Sequence, residues 1–208
     1  LQIIVFAIMT GIALTIIGEK GKKVLELFEE LNELVMKLVS MVMVLAPFGV
    51  LCLVARTFGQ VGVAAVVPLA KTVAAVYIAL AIHLVVVYGG MLKGLSGLSP
   101  TRFFKKIFPA MAVAFSTASS SATLPVTMDL TVNKVGASKD ISSFALPLGA
   151  TVNMDGTAIY QGVSAVFIAQ VYGINVTPSM ALMIVLSATL ASIGTAGVPG
   201  AGAIMLSM

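Results

Sequence analysis

The sequence predicts an all-α integral membrane protein, and three observations carry that prediction. Of 208 residues, 59% are hydrophobic and only 10% are Asp, Glu, Lys or Arg, against roughly 45–50% and about 25% in soluble domains. Mean hydropathy is +1.11. The apolar residues fall in long runs, with most of the basic residues in the short loops between them, as expected of helices that cross a bilayer. The net charge of +4 is therefore a loop charge, not a nucleic-acid surface. Cys52 is the single cysteine; an internal disulfide is excluded, and the residue reads as packing. The chain opens at Leu1 without an initiator Met and stops inside an apolar run, the pattern expected of an internal piece of a longer protein.

Residues 1–17 form an uncharged apolar run close to the ~17–25 residues of a spanning helix. Residues 19–37 hold nine charged side chains with apolar residues at near-helical spacing, which predicts an amphipathic helix at the membrane surface. Its Glu and Lys side chains are expected to pair on a solvated face. A second span is predicted at about 34–56, kinked at Pro47, and a third at about 63–92. The loop 93–100 then leads to the basic cluster Arg102, Lys105 and Lys106.

The next blocks differ. Over about 103–135, two apolar arms of about 12–14 residues, roughly 20 Å each at 1.5 Å per residue, flank the polar centre Ser116-Thr-Ala-Ser-Ser-Ser-Ala-Thr123. Arms that short predict a re-entrant hairpin rather than one span of a ~30 Å core. From residue 178 the outline recurs: an apolar arm reaches Ser192-Ile-Gly-Thr-Ala-Gly-Val-Pro-Gly-Ala-Gly202, and a second arm begins. Between them, about 141–172, a long segment is broken at Thr151-Val-Asn-Met-Asp-Gly156. Interrupted segments in corresponding positions of two halves point to the binding site of a secondary transporter. If 103–135 returns to its own side, ten basic residues share one face and two, Arg56 and Lys71, the other. The first hairpin then enters from the cytoplasm and the second from outside, as inverted repeats require.

Asp155 carries the most information. It is the only Asp, Glu, Lys, Arg or His after Asp140. A carboxylate in the middle of a spanning helix costs about 2.5–3.5 kcal/mol. A proton, a bound metal cation or a basic residue elsewhere in the fold could offset that cost. Asn153, Thr151 and a backbone loosened at Gly156 supply hard oxygen ligands and favour the cation. In each tip a proline, Pro125 or Pro199, is expected to start the second arm, aiming a helix N-terminus at an anionic group. Gln161 is placed to face the site. His83 reads as a hydrogen-bonded interior histidine, and the twelve methionines as core. A hydrolase is disfavoured, because no base or second carboxylate accompanies the candidate nucleophiles; a channel lined by the Ser and Gly tips is a more remote alternative.

Three strings, Ser119-Ser-Ser-Ala-Thr-Leu-Pro125, Leu148-Gly-Ala-Thr-Val-Asn-Met-Asp-Gly-Thr-Ala158 and Ala191-Ser-Ile-Gly-Thr-Ala-Gly-Val-Pro-Gly-Ala-Gly202, occur in the order found in the dicarboxylate/amino acid:cation symporter family. The chain resembles that family over essentially its whole length. The family includes archaeal aspartate transporters and eukaryotic excitatory amino acid transporters. The resemblance implies a multi-pass protein of the plasma or inner membrane and a homotrimer in which a transport domain slides like an elevator against a scaffold. Residues 1–60 would be partial scaffold (end of helix 4, helix 5). Residues 61–208 would be partial transport domain: helix 6, hairpin 1, helix 7 and a truncated hairpin 2 (178–208). It implies Na+ as the coupled ion, no organic cofactor and no enzymatic activity. Sodium would be held by the Gly149 carbonyl and Asn153, by Asn153 and Asp155, and by Thr151 with the carbonyls of Ser192, Ile193 and Thr195. An acidic amino acid or C4-dicarboxylate would meet the tip formed by Ala118, Ser119, Ser120 and Ser121, the Thr157 hydroxyl, and Val198 and Gly202. Met154 would couple ion and substrate sites.

Three departures qualify the resemblance. The family's last helix, which carries an aspartate for the substrate amine, lies outside this chain. Archaeal members have arginine where Ala118 stands. Proton-coupled eukaryotic carriers have glutamate where Gln161 stands, and an amide carries no proton. Sodium-coupled symport is therefore the first expectation and a proton-coupled dicarboxylate carrier the alternative.

Overall fold

A computed structural model describes residues 2–62, 64 and 66–207. The expected starts of the first and third spans, at 1 and 63, and the last residue of the second hairpin lie outside these. Every regular element among the described residues is helical, in line with the all-α prediction. The chain divides into two compact units, Leu1–Ala70 and Lys71–Met208.

In the first unit, α1 (Gln2–Ile17) turns through a 3-10 segment at Gly18–Gly21 into α2 (Lys22–Met43), followed by α3 (Ala46–Val61). Gly18 has φ +61°, the left-handed conformation that lets a helix end without a Cβ clash. Pro47 lies in the first turn of α3, not in a helix interior. The expected kinked span at 34–56 is thus two helices broken at 44–45, because a proline lacking its N–H is cheapest where a helix begins. The charged residues of α2 form no Glu–Lys ion pair among the described residues. Ordering two long exposed side chains costs as much as such a pair returns. Cys52 is exposed rather than packed.

The remaining helices belong to the second unit, apart from the first residues of the helix that follows α3, which fall in the first. α4 (Val66–Ile82), a π-helical segment His83–Tyr88 and α5 (Gly89–Ser96) run on as one helical rod, Val66–Ser96, 31 residues long. Among the described residues it is the one helix long and apolar enough to cross a membrane, whereas Pro178–Ile193 is apolar but shorter. Next come α6 (Pro100–Thr117), α7 (Ser120–Leu130), a π-helical segment Thr131–Val135, α8 (Lys139–Val152), α9 (Asp155–Val171), α10 (Pro178–Ile193) and α11 (Ala201–Ser207). α7 packs on α6 and α8, α10 packs on α9, and α11 reaches α9. The first arm, at 18 residues, is longer than expected, because Pro100 starts it three residues earlier and the helix runs on through Ser116 and Thr117.

Burial is inverted relative to a water-soluble core. Among the described residues the buried apolar ones are Ala110, Leu130, Met154, Ala188 and Ala201, beside the polar Ser119, Thr123, Ser142, Gln161, Ser164, Ser192 and Thr195. Large apolar residues such as Phe108, Phe115, Phe144 and Leu182 are exposed. Lipid offers no hydrophobic drive to bury them, so close helix packing selects small side chains and internal hydrogen bonds. For the same reason the methionines are mostly at the surface, with Met154 the buried exception among those described.

Candidate functional site

The first tip is made by two residues. α6 ends on Ala118 in the left-handed region (φ 47°, ψ 32°), its N–H bonded to the Ala114 carbonyl. Among the described residues it is the one non-glycine with positive φ, a conformation costing about 1–2 kcal/mol for an L-residue. Ser119 then caps α7: its Oγ accepts the Ala122 N–H at 3.2 Å and donates to the Gly197 carbonyl at 2.6 Å. α7 therefore begins at Ser120, and Pro125 lies inside it. The expected proline start is corrected, because a serine N-cap satisfies an orphan N–H that proline could only omit. Ser120 is exposed.

The second tip closes on the first. Ser121 N–H also donates to the Gly197 carbonyl, at 3.1 Å. A Cβ on Gly197 would stand 2.7 Å from Ser121 Oγ and 3.1 Å from Ser121 N, so any side chain here would press on Ser121 and glycine suits the approach. Val198 N–H bonds back to the Ala196 carbonyl. Pro199 precedes α11 by one further residue, Gly200 (φ +78°), so it too does not open its helix; Ala201 does. Beyond the tip, a Cβ on Gly202 would meet Thr157 Cγ2 at 3.1 Å, and Gln161 Nε2 reaches the Gly202 carbonyl at 3.4 Å. Gln161 is 3% exposed and its Oε1 is buried without a partner. Ser119, Ser121, Gly197, Gly202, Thr157 and Gln161 are thereby linked through α7, α9 and the α10–α11 turn.

The helix break falls where the sequence places it. α8 ends at Val152, and Asn153 (φ −100°, ψ 78°) and Met154 (φ −111°, ψ 56°) leave the helical region before α9 starts at Asp155. Asn153 is exposed and Met154 buried. The Gly149 carbonyl takes the Asn153 N–H at 3.0 Å. Thr151 Oγ1 donates to the Leu148 carbonyl at 3.0 Å, and Ser192 and Thr195 turn their hydroxyls onto carbonyls of α10. Thr157 Oγ1 lies 4.0 Å from the Met154 sulfur. No hydrogen bond joins Thr151 to Ser192, Ile193 or Thr195 among the described residues; their common ground is the packing of α10 on α9 and against α8.

Asp155 has partners no sequence spacing announced. Its Oδ2 accepts from Tyr88 OH at 2.5 Å and lies 3.1 Å from His83 Nε2. An ionised carboxylate only accepts, and with Asp155 in that form the Nε2 tautomer of His83 is the one that donates to it. Hydrogen bonds to a charged group contribute about 1.5–3 kcal/mol each, and two are enough to offset a carboxylate's insertion cost of about 2.5–3.5 kcal/mol. His83 is thus the hydrogen-bonded histidine expected, and its partner is the residue whose compensation was open. Among the described residues no group of three or more His, Cys, Asp or Glu side chains could hold a metal ion. Any cation here would draw on carbonyl, amide and hydroxyl oxygens, a ligand set suited to hard cations.

Apolar residues outward, a polar interior, a broken helix and two apposed tips are the features of a helical integral membrane protein. Residues 1–208 match the sodium:dicarboxylate symporter family, and the chain belongs to it. It is 39% identical over 206 residues to the proton/sodium-glutamate symport protein of Bacillus subtilis (strain 168), covering 99% of this chain and 48% of that protein. It is 39% identical over 211 residues to excitatory amino acid transporter 2 of Mus musculus, covering 99% of this chain and 36% of the relative. It is likewise 39% identical over 210 residues to the neutral amino acid transporter B(0) of Mus musculus, with 100% and 38% covered. The chain thus spans about half, or less, of the length of these relatives.

Proposed function

We propose that the chain forms part of a sodium-coupled secondary symporter of acidic amino acids or C4-dicarboxylates, working by elevator-type alternating access in a homotrimer. Residues 1–60 would serve as scaffold and 61–208 as transport domain. α6–α7 and α10–α11 would be re-entrant hairpins of opposite orientation. The observation that carries the reading is the meeting of the two tips at Gly197 beside a helix broken at Asn153–Met154. Tips that touch through one carbonyl can part and close, and a gate of this kind admits cargo from one side at a time.

In this reading the substrate carboxylate lies against the backbone of Ala118 and Ser120, the Thr157 hydroxyl and the Val198–Gly202 turn. Sodium, as cargo, takes the oxygens of Gly149, Thr151, Asn153, Asp155, Ser192, Ile193 and Thr195. Met154, between Asn153 and Asp155 in the chain and with its sulfur 4.0 Å from Thr157 Oγ1, transmits ion occupancy to the substrate side. Sodium binding would stabilise the conformation in which the tips close over substrate, a shift in population set by its differential affinity. Support for an acidic amino acid as cargo comes from the names of two relatives, one a glutamate symport protein and one an excitatory amino acid transporter. The amide of Gln161 favours sodium over a proton as the coupled ion.

The test is uptake of labelled aspartate, glutamate and succinate by the intact protein in proteoliposomes. Uptake is expected to rise steeply with external sodium and to collapse in choline. Equal uptake without sodium under a pH gradient would replace this reading with the proton-coupled dicarboxylate carrier. Unitary currents in the absence of substrate would replace it with a channel.

A further inference from the structure

Neither the tips nor the broken helix accounts for the π-helical segment His83–Tyr88 in the long rod. In an α-helix, residues five apart are rotated by about 500° and so diverge by roughly 140°. An i→i+5 segment turns less per residue and so narrows that divergence. The widening therefore turns His83 and Tyr88 onto one face, where both reach a single atom, Asp155 Oδ2. Their rings meet edge-on, centroids 4.9 Å apart and planes at 75°, so each restricts the rotation of the other. One turn earlier, Leu80 Cδ2 lies 3.6 Å from where a Cβ on Gly156 would stand. The rod is thus seated against the first turn of α9, at the residue next to the carboxylate. Oδ1 has no hydrogen-bond partner among the described residues.

We infer that His83 and Tyr88 are positioning residues that hold Asp155 by Oδ2 so that Oδ1 is presented to the transported cation. The inference rests on the reading of Asp155 as a sodium ligand. Outer donors of this kind fix the orientation of a ligating carboxylate before the ion arrives, and their removal typically weakens metal binding by about 10–100-fold. The opposite role is also chemically defined: donors that compete with the ion for the carboxylate would weaken sodium binding, and removing them would tighten it.

The experiment measures sodium half-saturation of the purified intact protein twice: as the sodium-dependent rise in melting temperature without substrate, and as sodium-dependent uptake. Tyr88→Phe and His83→Ala are expected to raise half-saturation by about tenfold or more, with maximal uptake recovered at saturating sodium. His83→Gln keeps an N–H donor and is expected to restore half-saturation to within about threefold of the parent. A role confined to folding would instead lower the melting temperature in choline and leave half-saturation in place. Parent-like or tighter sodium binding in folded Tyr88→Phe and His83→Ala, with Asp155→Asn still abolishing sodium dependence, overturns the inference and spares the transport reading. A sodium-dependent Asp155→Asn variant overturns Asp155 as a sodium ligand, and the inference with it. Should Tyr88→Phe fail to fold, His83→Ala and its Gln counterpart decide the question alone.

Discussion

Ser119 Oγ donates to the Gly197 carbonyl at 2.6 Å across 78 residues of sequence. The same hydroxyl accepts from Ala122 N–H, so its donor and acceptor roles are both used and its rotamer is fixed. The tip-to-tip contact is therefore built into the cap of α7. Its dependence on a bare Cα at Gly197 gives the first prediction. Gly197→Ala places a Cβ 2.7 Å from Ser121 Oγ and 3.1 Å from its backbone nitrogen, and the nitrogen cannot rotate away. Under the gating reading, the tips of Gly197→Ala are held apart and uptake falls at least about tenfold, a loss of about 1.4 kcal/mol. Parent-like uptake by a folded Gly197→Ala protein would show that the contact is dispensable.

Three helices of the second unit start at a side-chain cap: Ser119, Ser138 and Thr177 each accept the N–H three residues on. Only Ser119 also bonds across to another element. Alanine at any of the three is expected to cost about 1 kcal/mol of stability, read as a lower melting temperature. Uptake should fall further only for Ser119→Ala. Equal uptake losses for all three would assign Ser119 a capping role alone.

Gly202 and Thr157 form a second close pair, with a Cβ on Gly202 placed 3.1 Å from Thr157 Cγ2. Gly202→Ala should raise the KM for substrate, because the turn and the Thr157 hydroxyl are displaced together. Thr157→Ser removes the clashing methyl and keeps the hydroxyl. The double variant is therefore expected to recover most of the lost affinity, and the energies of the two changes to be non-additive. Additive losses in uptake kinetics would mean that the two residues act separately.

Legibility in the sequence followed chemical type more than distance. The break at Asn153–Met154 could be read, because Asn-Met-Asp-Gly interrupts an apolar helix with polar and flexible residues. The tips could be read, because clustered serine and glycine are costly in lipid unless they do something. Prolines misled: Pro47 lies in the first turn of α3 rather than at a mid-helix kink, and Pro125 sits inside α7, which a serine cap starts instead. The His83–Tyr88–Asp155 group was out of reach, since a π-helical widening leaves no mark in an apolar run and the carboxylate is 72 residues away. The buried face of Gln161 was anticipated only as an orientation; its bond to the Gly202 carbonyl depends on how α11 returns to α9.

Asp155→Asn separates charge from shape. An asparagine amide oxygen can occupy the place of Oδ2 and still accept from Tyr88 and His83, so the melting temperature in choline is expected to stay within a few degrees of the parent, about 1 kcal/mol or less. Asp155→Ala instead leaves two donors without an acceptor, at about 1–3 kcal/mol, and is expected to melt lower. If the negative charge serves the cation, Asp155→Asn loses the sodium-dependent rise in melting temperature as well as sodium-driven uptake. Were its only service to seat the rod against α9, Asp155→Asn would keep its sodium curve and Asp155→Ala alone would suffer. The two substitutions, compared in sodium and in choline, therefore assign the carboxylate to the ion or to the fold.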